Sequence, residues 1–237
     1  MNKLNNVRIV LCRPSHPGNI GSAARAMKTM GLSRLVLVRP RAFPHPEAEA
    51  LASGATDILQ RAVVCDTMDE ALAGCALSMG LTSRKRELSH TAMPARAAAA
   101  EALHVAGRQD VALVFGNETT GLSNDELIRC QRLVYIPANP AYASLNLAAA
   151  VQVMAYELRV TADDTAMPVQ PAVQRATHDE MEGFYTHLEQ TLVAIGYLDP
   201  AVPKRLMPRL RRLFARAGLE REEINILRGI LNAARRQ

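Results

Sequence analysis

Short runs of Val, Leu and Ile recur along the first two-thirds of the chain, each followed by residues spaced for a helix, and this alternation restricts the possible folds most. The runs lie at 8–12, 34–38, 62–65, 76–79, 111–115 and 133–136. They are short and almost unbroken in their apolar character, as strands buried on both faces are. Helical patterns near 20–30, 46–53, 68–73, 94–106, 124–130 and 145–160 separate them. Strand and helix in alternation predict an α/β fold: a mostly parallel sheet with helices on both faces. Ser123-Asn-Asp-Glu126 reads as a capping box, and Ser144 stands where an N-cap would precede the apolar residues 145–158. That last helix is apolar nearly all round, so it is expected to be sandwiched between other elements or between subunits.

The periodicity stops at 161–177, where Thr, Asp, Pro, Gln and Ala dominate, and this stretch reads as a linker after a first domain spanning 1–160. Residues 178–237 then show three amphipathic helical patterns, a small C-terminal helical unit. Thr177-His-Asp-Glu180 is a capping box for the first, and Pro203 is expected in the first turn of the second. With 49% hydrophobic and 22% charged residues, the chain is neither disordered nor fibrous. Its longest apolar run is interrupted by Asn146, Gln152 and Glu157 and is shorter than the roughly 20 residues of a membrane span. The polar start has no signal-peptide character.

Cys12, Cys65, Cys75 and Cys130 form no CxxC pair and no zinc spacing with the scattered histidines, so no metal site is expected. They read as reduced core residues, which suits the cytoplasm. Residues 1–41 hold eight Lys or Arg and no acid, and residues 204–216 hold six and again no acid. Two such blocks suit a polyanion such as nucleic acid, and they equally suit solvated helix faces.

The chain lacks a P-loop, a GxGxxG fingerprint, a GxSxG elbow and an HExxH pair. A nicotinamide-dependent oxidoreductase on a doubly wound sheet is disfavoured accordingly. Three segments place Gly and polar residues abruptly at the ends of apolar strands, where open α/β sheets hold ligands. They are Pro17-Gly-Asn-Ile-Gly-Ser-Ala-Ala-Arg25, with Asn19 as expected cap, then Phe115-Gly-Asn-Glu-Thr-Thr-Gly-Leu122, and the stretch 136–152. Singly, each is explained by turns, caps and exposed helix faces.

Together, in this order and spacing, the three segments resemble the signature motifs of the SPOUT superfamily of S-adenosylmethionine-dependent RNA methyltransferases, in its ribose 2′-O branch. The likeness extends through Ala23-Ala-Arg-Ala-Met-Lys-Thr-Met-Gly31, Asp69-Glu-Ala-Leu72, Ser144-Leu-Asn-Leu-Ala148, and His187-Leu-Glu-Gln190 and Leu227-Arg-Gly-Ile-Leu231 in the tail. Within the branch it is most similar to the bacterial enzymes that methylate cytidine or uridine at position 32 of the tRNA anticodon loop. The resemblance implies a C-terminal deep trefoil knot, S-adenosylmethionine as cofactor, tRNA as partner, and a homodimer with the active site near the subunit interface. No membrane or metal is implied. Relatives acting on another tRNA or ribosomal RNA position, or binding RNA without catalysis, are the alternatives.

Carried over residue by residue, the resemblance implies that Leu81, Thr82, Ser83, Gly116, Glu118, Ile136, Ala143, Ser144, Leu145 and Asn146 hold the cofactor. Gly116 would leave room for an adenosine to approach the backbone. Arg25 corresponds to the catalytic arginine. A guanidinium hardly deprotonates, so Arg25 is expected to clamp a phosphate and stabilise a developing alkoxide rather than act as a base. Asn19 and Ser144 would orient the ribose or Arg25, and Glu118 and Asn146 would brace the loops. His16 is read as a loop residue near the RNA. Arg84, Lys85 and Arg86 could close over the ligand, and Arg209, Arg211 and Arg212 would extend the RNA track.

Overall fold

The computed structural model describes residues 3–83, 92–163 and 174–235. The alternation expected from the sequence is present. Strands β1 (Val7–Cys12), β2 (Arg34–Val38), β3 (Val63–Cys65), β4 (Cys75–Leu81), β5 (Met93–Pro94), β6 (Asp110–Phe115) and β7 (Arg132–Tyr135) form a single sheet in the order β3-β2-β1-β6-β4-β7-β5. Every pairing in it is parallel. The short edge strand β5 has no apolar run of its own and was not legible in the sequence. Strand β3 differs from the expectation of burial, since Val63 and Val64 are more than half exposed. It pairs with β2 alone, at the other edge of the sheet.

Helices α1 (Pro17–Thr29), α2 (Pro46–Ala52), α5 (Ala95–Ala106) and α7 (Leu147–Asp163) cover one face, and their apolar sides share one core with the inward residues of the strands. Short α3 (Thr56–Gln60), unforeseen in the sequence, adds Ile58 and Leu59 to it. On the other face, α4 (Met68–Leu72) and α6 (Asn124–Arg129) close a second core around Val10, Val36, Val114 and Leu133. A close approach explains one glycine: a Cβ on Gly21 would run into the Ala48 carbonyl of α2.

The sheet order sets β7 between β4 and β5, which are consecutive in the chain. The chain arriving after β6 therefore enters the sheet between two strands already joined through residues 82–92. This arrangement is consistent with the knot that the resemblance implies, although residues 84–91 of the joining segment, including Arg84, Lys85 and Arg86, lie outside the described residues.

Helix α7 continues to Asp163, three residues into the expected linker. The tail follows as α8 (His178–Ala194), α9 (Leu206–Ala217) and α10 (Arg221–Ala234), around a core of Met181, Phe184, Leu188 and Ile224. Phe184 and Phe214 meet edge to face at 4.9 Å. Pro203 lies outside α9; Pro208 occupies its first turn instead, where a missing N–H costs nothing. The tail is tied to the first unit by polar contacts. His178 Nε2 lies 3.1 Å from Asp69, which Arg129 also contacts at 2.6 Å. The Arg175 guanidinium donates to Glu101 at 3.0 Å, and Gln109 brackets the Arg175 backbone.

Candidate active site

Parallel strands end together, so the loops after β1, β4, β6 and β7 gather at one edge of the sheet. A cleft opens there, with about 810 Å³ of empty space counting its mouth, within the range of small-molecule sites. Its floor is apolar, from Leu81, Phe115, Leu122, Val134, Leu147 and Ala150, and its rim is polar, from Thr82, Ser83, Thr119, Thr120 and Ser144. An apolar slot bordered by hydroxyls and loop backbone suits a flat ring carrying a polar sugar. The residues present therefore fit an adenosine-containing cofactor.

Glu118 organises the walls. It accepts hydrogen bonds from the Ser15 backbone N–H (2.9 Å), the Ser15 hydroxyl (2.7 Å), the His16 N–H (3.2 Å) and Asn19 Nδ2 (2.9 Å). Burial pushes its carboxyl upward, but the bonds from Asn19 and Ser15 outweigh this and hold the pKa down at about 2. Asn19 Oδ1 in turn accepts from Asn146 Nδ2 at 2.9 Å, and Asn146 Oδ1 accepts from the Ala148 and Ala149 N–H groups at the start of α7. One chain of hydrogen bonds thus links all three sequence segments.

Of the residues expected to hold the cofactor, Leu81, Thr82, Ser83, Gly116, Glu118, Ile136, Ala143, Ser144 and Leu145 line the cleft. Asn146 is not part of the lining and stands behind it as the cap of α7. This corrects the expectation for Ser144: the carboxamide reaches two free N–H groups, the helix begins at Leu147, and Ser144 stays exposed on the rim. Asn19 is likewise not a cap. The helix starts at Pro17, a residue suited to the first position, and Asn19 spends its amide on Glu118. The reason for Gly116 differs too, because a Cβ there would strike the backbone of Gly121 and Leu122, so the glycine lets the loop close on itself. Sequence reasoning missed Ser15, and it missed Asn117, whose Oδ1 accepts from Thr119 and Thr120 while its Nδ2 donates to the Arg13 carbonyl at 2.8 Å. An Asn two residues before such a polar loop is the signal for an Asx turn.

Arg25 is exposed on α1, outside the lining of the cleft, and makes no ion pair with a described residue. His16 is exposed beside the cleft mouth. In the tail, Arg209 and Arg212 share one face of α9 with Arg205 and Arg216, opposite the packed Met207, Leu210 and Phe214. Arg211 does not belong to that face. Its guanidinium grips Glu182 with two bonds of 2.6 and 2.8 Å and lies 4.3 Å from the centre of the Tyr185 ring. It is a packing residue of the tail.

Residues 6–156 match the SpoU rRNA Methylase family, and residues 179–237 match the C-terminal domain of the tRNA methyltransferase TrmJ. The chain is 51% identical to tRNA (cytidine/uridine/adenosine-2′-O-)-methyltransferase TrmJ of Pseudomonas aeruginosa, covering 96% of this chain and 93% of the relative. It is 48% identical to tRNA (cytidine/uridine-2′-O-)-methyltransferase TrmJ of Pectobacterium atrosepticum, over 98% of each. The crystal structure of TrmJ from Z. mobilis superposes with a TM-score of 0.83 at 36% identity, over 95% of this chain and 97% of that one. The protein is thus a methyltransferase that belongs to the SpoU rRNA Methylase family and carries a TrmJ-type C-terminal domain.

Proposed function

We propose that the protein methylates the ribose 2′-hydroxyl of cytidine or uridine at position 32 in the tRNA anticodon loop, with S-adenosylmethionine as methyl donor. The observation that carries this reading is the convergence of the three polar loops on one cleft, in a chain whose tail is of the TrmJ type. The P. aeruginosa and P. atrosepticum relatives are named as tRNA 2′-O-methyltransferases, which supports tRNA as substrate here.

When bound, the cofactor supplies an electrophilic methyl group. The apolar floor excludes water from the reacting atoms, and the Glu118–Asn19–Asn146 chain fixes the loops so that little ordering remains to be done on binding. Glu118 itself is a poor proton acceptor, since its oxygens are engaged and its pKa lies near 2. Arg25 holds a phosphate next to the target ribose and stabilises negative charge on the 2′-oxygen, while a phosphate oxygen or water takes the proton. Ser144, at the rim, orients the sugar, and Asn19, bonded to Glu118 and Asn146 behind the lining, holds the loops in place for it.

A homodimer completes the site in this reading. Helix α7 is buried on one side only, and Ala149, Val153, Tyr156 and Val160 recur at spacings of four, three and four along its other side, with Tyr156 51% and Val160 43% exposed. A second copy covering this stripe would carry its own α1 alongside, so that Arg25 serves the partner's cleft. The exposed arginine face of α9 extends the RNA track, and the protein works in the cytoplasm. Among the described residues no helix is long and apolar enough to cross a membrane.

The test is transfer of labelled methyl from S-adenosylmethionine to unmodified tRNA, followed by nuclease mapping of the modified ribose. Label at position 32 is expected. Label elsewhere replaces the target nucleotide, and cofactor binding without any transfer favours an RNA-binding relative.

A further inference from the structure

The basic block of residues 1–41 is divided by the fold. Arg8 and Arg34 both bind Asp110 at the N-terminal edge of the sheet, at 2.8 and 2.6 Å. Lys28 pairs with Asp57 at 2.7 Å. These cations are committed to structure. Arg13, Arg39 and Arg41 lie instead at the C-terminal edge, the edge that holds the cleft.

Their placement follows from register. Cys12, Val38 and Cys65 end β1, β2 and β3 side by side. The next residue in each of the first two strands is an arginine, and the ladder continues through them: Arg13 N–H donates to the Val38 carbonyl at 2.7 Å and Arg39 N–H to the Cys65 carbonyl at 3.0 Å. Both adopt left-handed φ, 51° and 44°, a conformation that an arginine adopts only under constraint. Arg41 N–H then donates to the Pro14 carbonyl at 3.0 Å, which lays residues 39–41 against residues 13–16. The latter loop is the one Glu118 and Asn117 hold from the cleft side. A cationic strip therefore runs from the cleft mouth at His16 outward over the ends of β1 and β2.

Its charge is largely unspent. Arg39 and Arg41 are exposed and make no ion pair with a described residue; Arg39 Nε donates only to the Asp66 carbonyl, at 2.6 Å. Arg13 pairs with Glu126, whose carboxylate also caps α6. Of the nearby acids, Glu70 is occupied by the Asp66 N–H and the Thr67 hydroxyl, Glu47 sits beside Gly18, and the Asp66 side chain lies exposed at the far end.

We propose that Arg39 and Arg41, with Arg13 beside them, form a phosphate-binding strip that takes the RNA backbone flanking the target ribose. The strip rests on the reading of the cleft as an RNA methyltransferase site. A run of exposed guanidinium groups bordering a cleft that receives one nucleotide is suited to the polyanion on which that nucleotide is carried.

The experiment compares the full-length protein with the double variant Arg39→Gln/Arg41→Gln. Arg61→Gln serves as control, since it removes one exposed charge at the opposite edge, where Arg61 pairs with Asp57. Binding of an unmodified tRNA transcript is measured across a salt series, together with methyl transfer, cofactor binding and thermal unfolding. The double variant is expected to bind tRNA about 10-fold more weakly at low salt, with the slope of log K against log salt reduced by about 1.5. Cofactor binding, thermal unfolding and the Arg61→Gln control should match the parent. Unchanged tRNA affinity and slope in the double variant, with an active parent, overturn the strip alone, as does an equal loss in Arg61→Gln. A parent that neither binds nor methylates tRNA overturns the functional reading and the strip with it.

Discussion

Among single residues, Arg25 and Glu118 have opposite characters, and their variants should fail differently. Arg25 is exposed and makes no ion pair with a described residue, so Arg25→Ala should leave folding and cofactor binding intact while lowering kcat for methyl transfer by about 100-fold or more. Unchanged turnover would remove it from the mechanism. Glu118 is a structural acceptor whose carboxyl is held at about 2, below the usual 4.5. A depressed carboxyl stabilises the fold above its unfolded pKa, and that contribution fades as pH falls from about 4.5 toward 2. Glu118→Gln, which turns an amide toward N–H donors, should therefore cost about 1–2 kcal/mol at pH 7 after solvent screening, and little near pH 2. Urea unfolding at both pH values measures the difference, and an equal cost at each would deny the charge a role. The sequence singled out Glu118, Asn19 and Asn146 as candidates, because motif spacing survives in one dimension, and the fold brings them together. It did not show that they bond to one another, or that Asn146 rather than Ser144 caps α7, since side-chain reach depends on how the loops meet.

At the level of elements, the apolar periodicity located nearly all strands and helices, because burial on two faces leaves an unbroken hydrophobic run. It failed where the element is too short to show a period: β5 is two residues long, and α3 spans only Thr56–Gln60. Helix α9 shows what a count of charges conceals. Its arginines divide between an outward face at 205, 209, 212 and 216 and the inward Arg211. Arg209→Gln/Arg212→Gln should weaken tRNA binding several-fold and flatten its salt dependence, with thermal stability retained. Arg211→Ala should instead destabilise the tail by about 1–3 kcal/mol, through loss of the Glu182 pair and the Tyr185 contact. If Arg211→Ala left thermal unfolding unchanged while weakening RNA binding, the assignment of the two faces would be reversed.

For the whole molecule, the question is what covers α7. In the sequence it is apolar on nearly every side; in the fold α1 and α5 take one side, and Tyr156 and Val160 remain at the surface. Replacing both by Glu should convert a dimer to a monomer in sedimentation while preserving the far-UV spectrum. It should also abolish methyl transfer if Arg25 acts across the interface. A dimer that survives both substitutions would place the contact elsewhere. Docking of the tail through His178 on Asp69 and Arg175 on Glu101 was not visible in the sequence, because the partners lie 109 and 74 residues apart.

The sheet order also bears on how the chain is made. Among the described residues strand β5 pairs only with β7, which follows it by some forty residues, and the cleft takes Val134, Ile136, Leu145 and Leu147 from the same late stretch. A nascent chain leaving the ribosome can pair β1, β2 and β6 as each emerges, yet it has no binding site until residues near 150 are free. The cleft is completed in one late step, and chains cut short before it carry most of the sheet and only the walls that residues 81–83 and 115–122 supply.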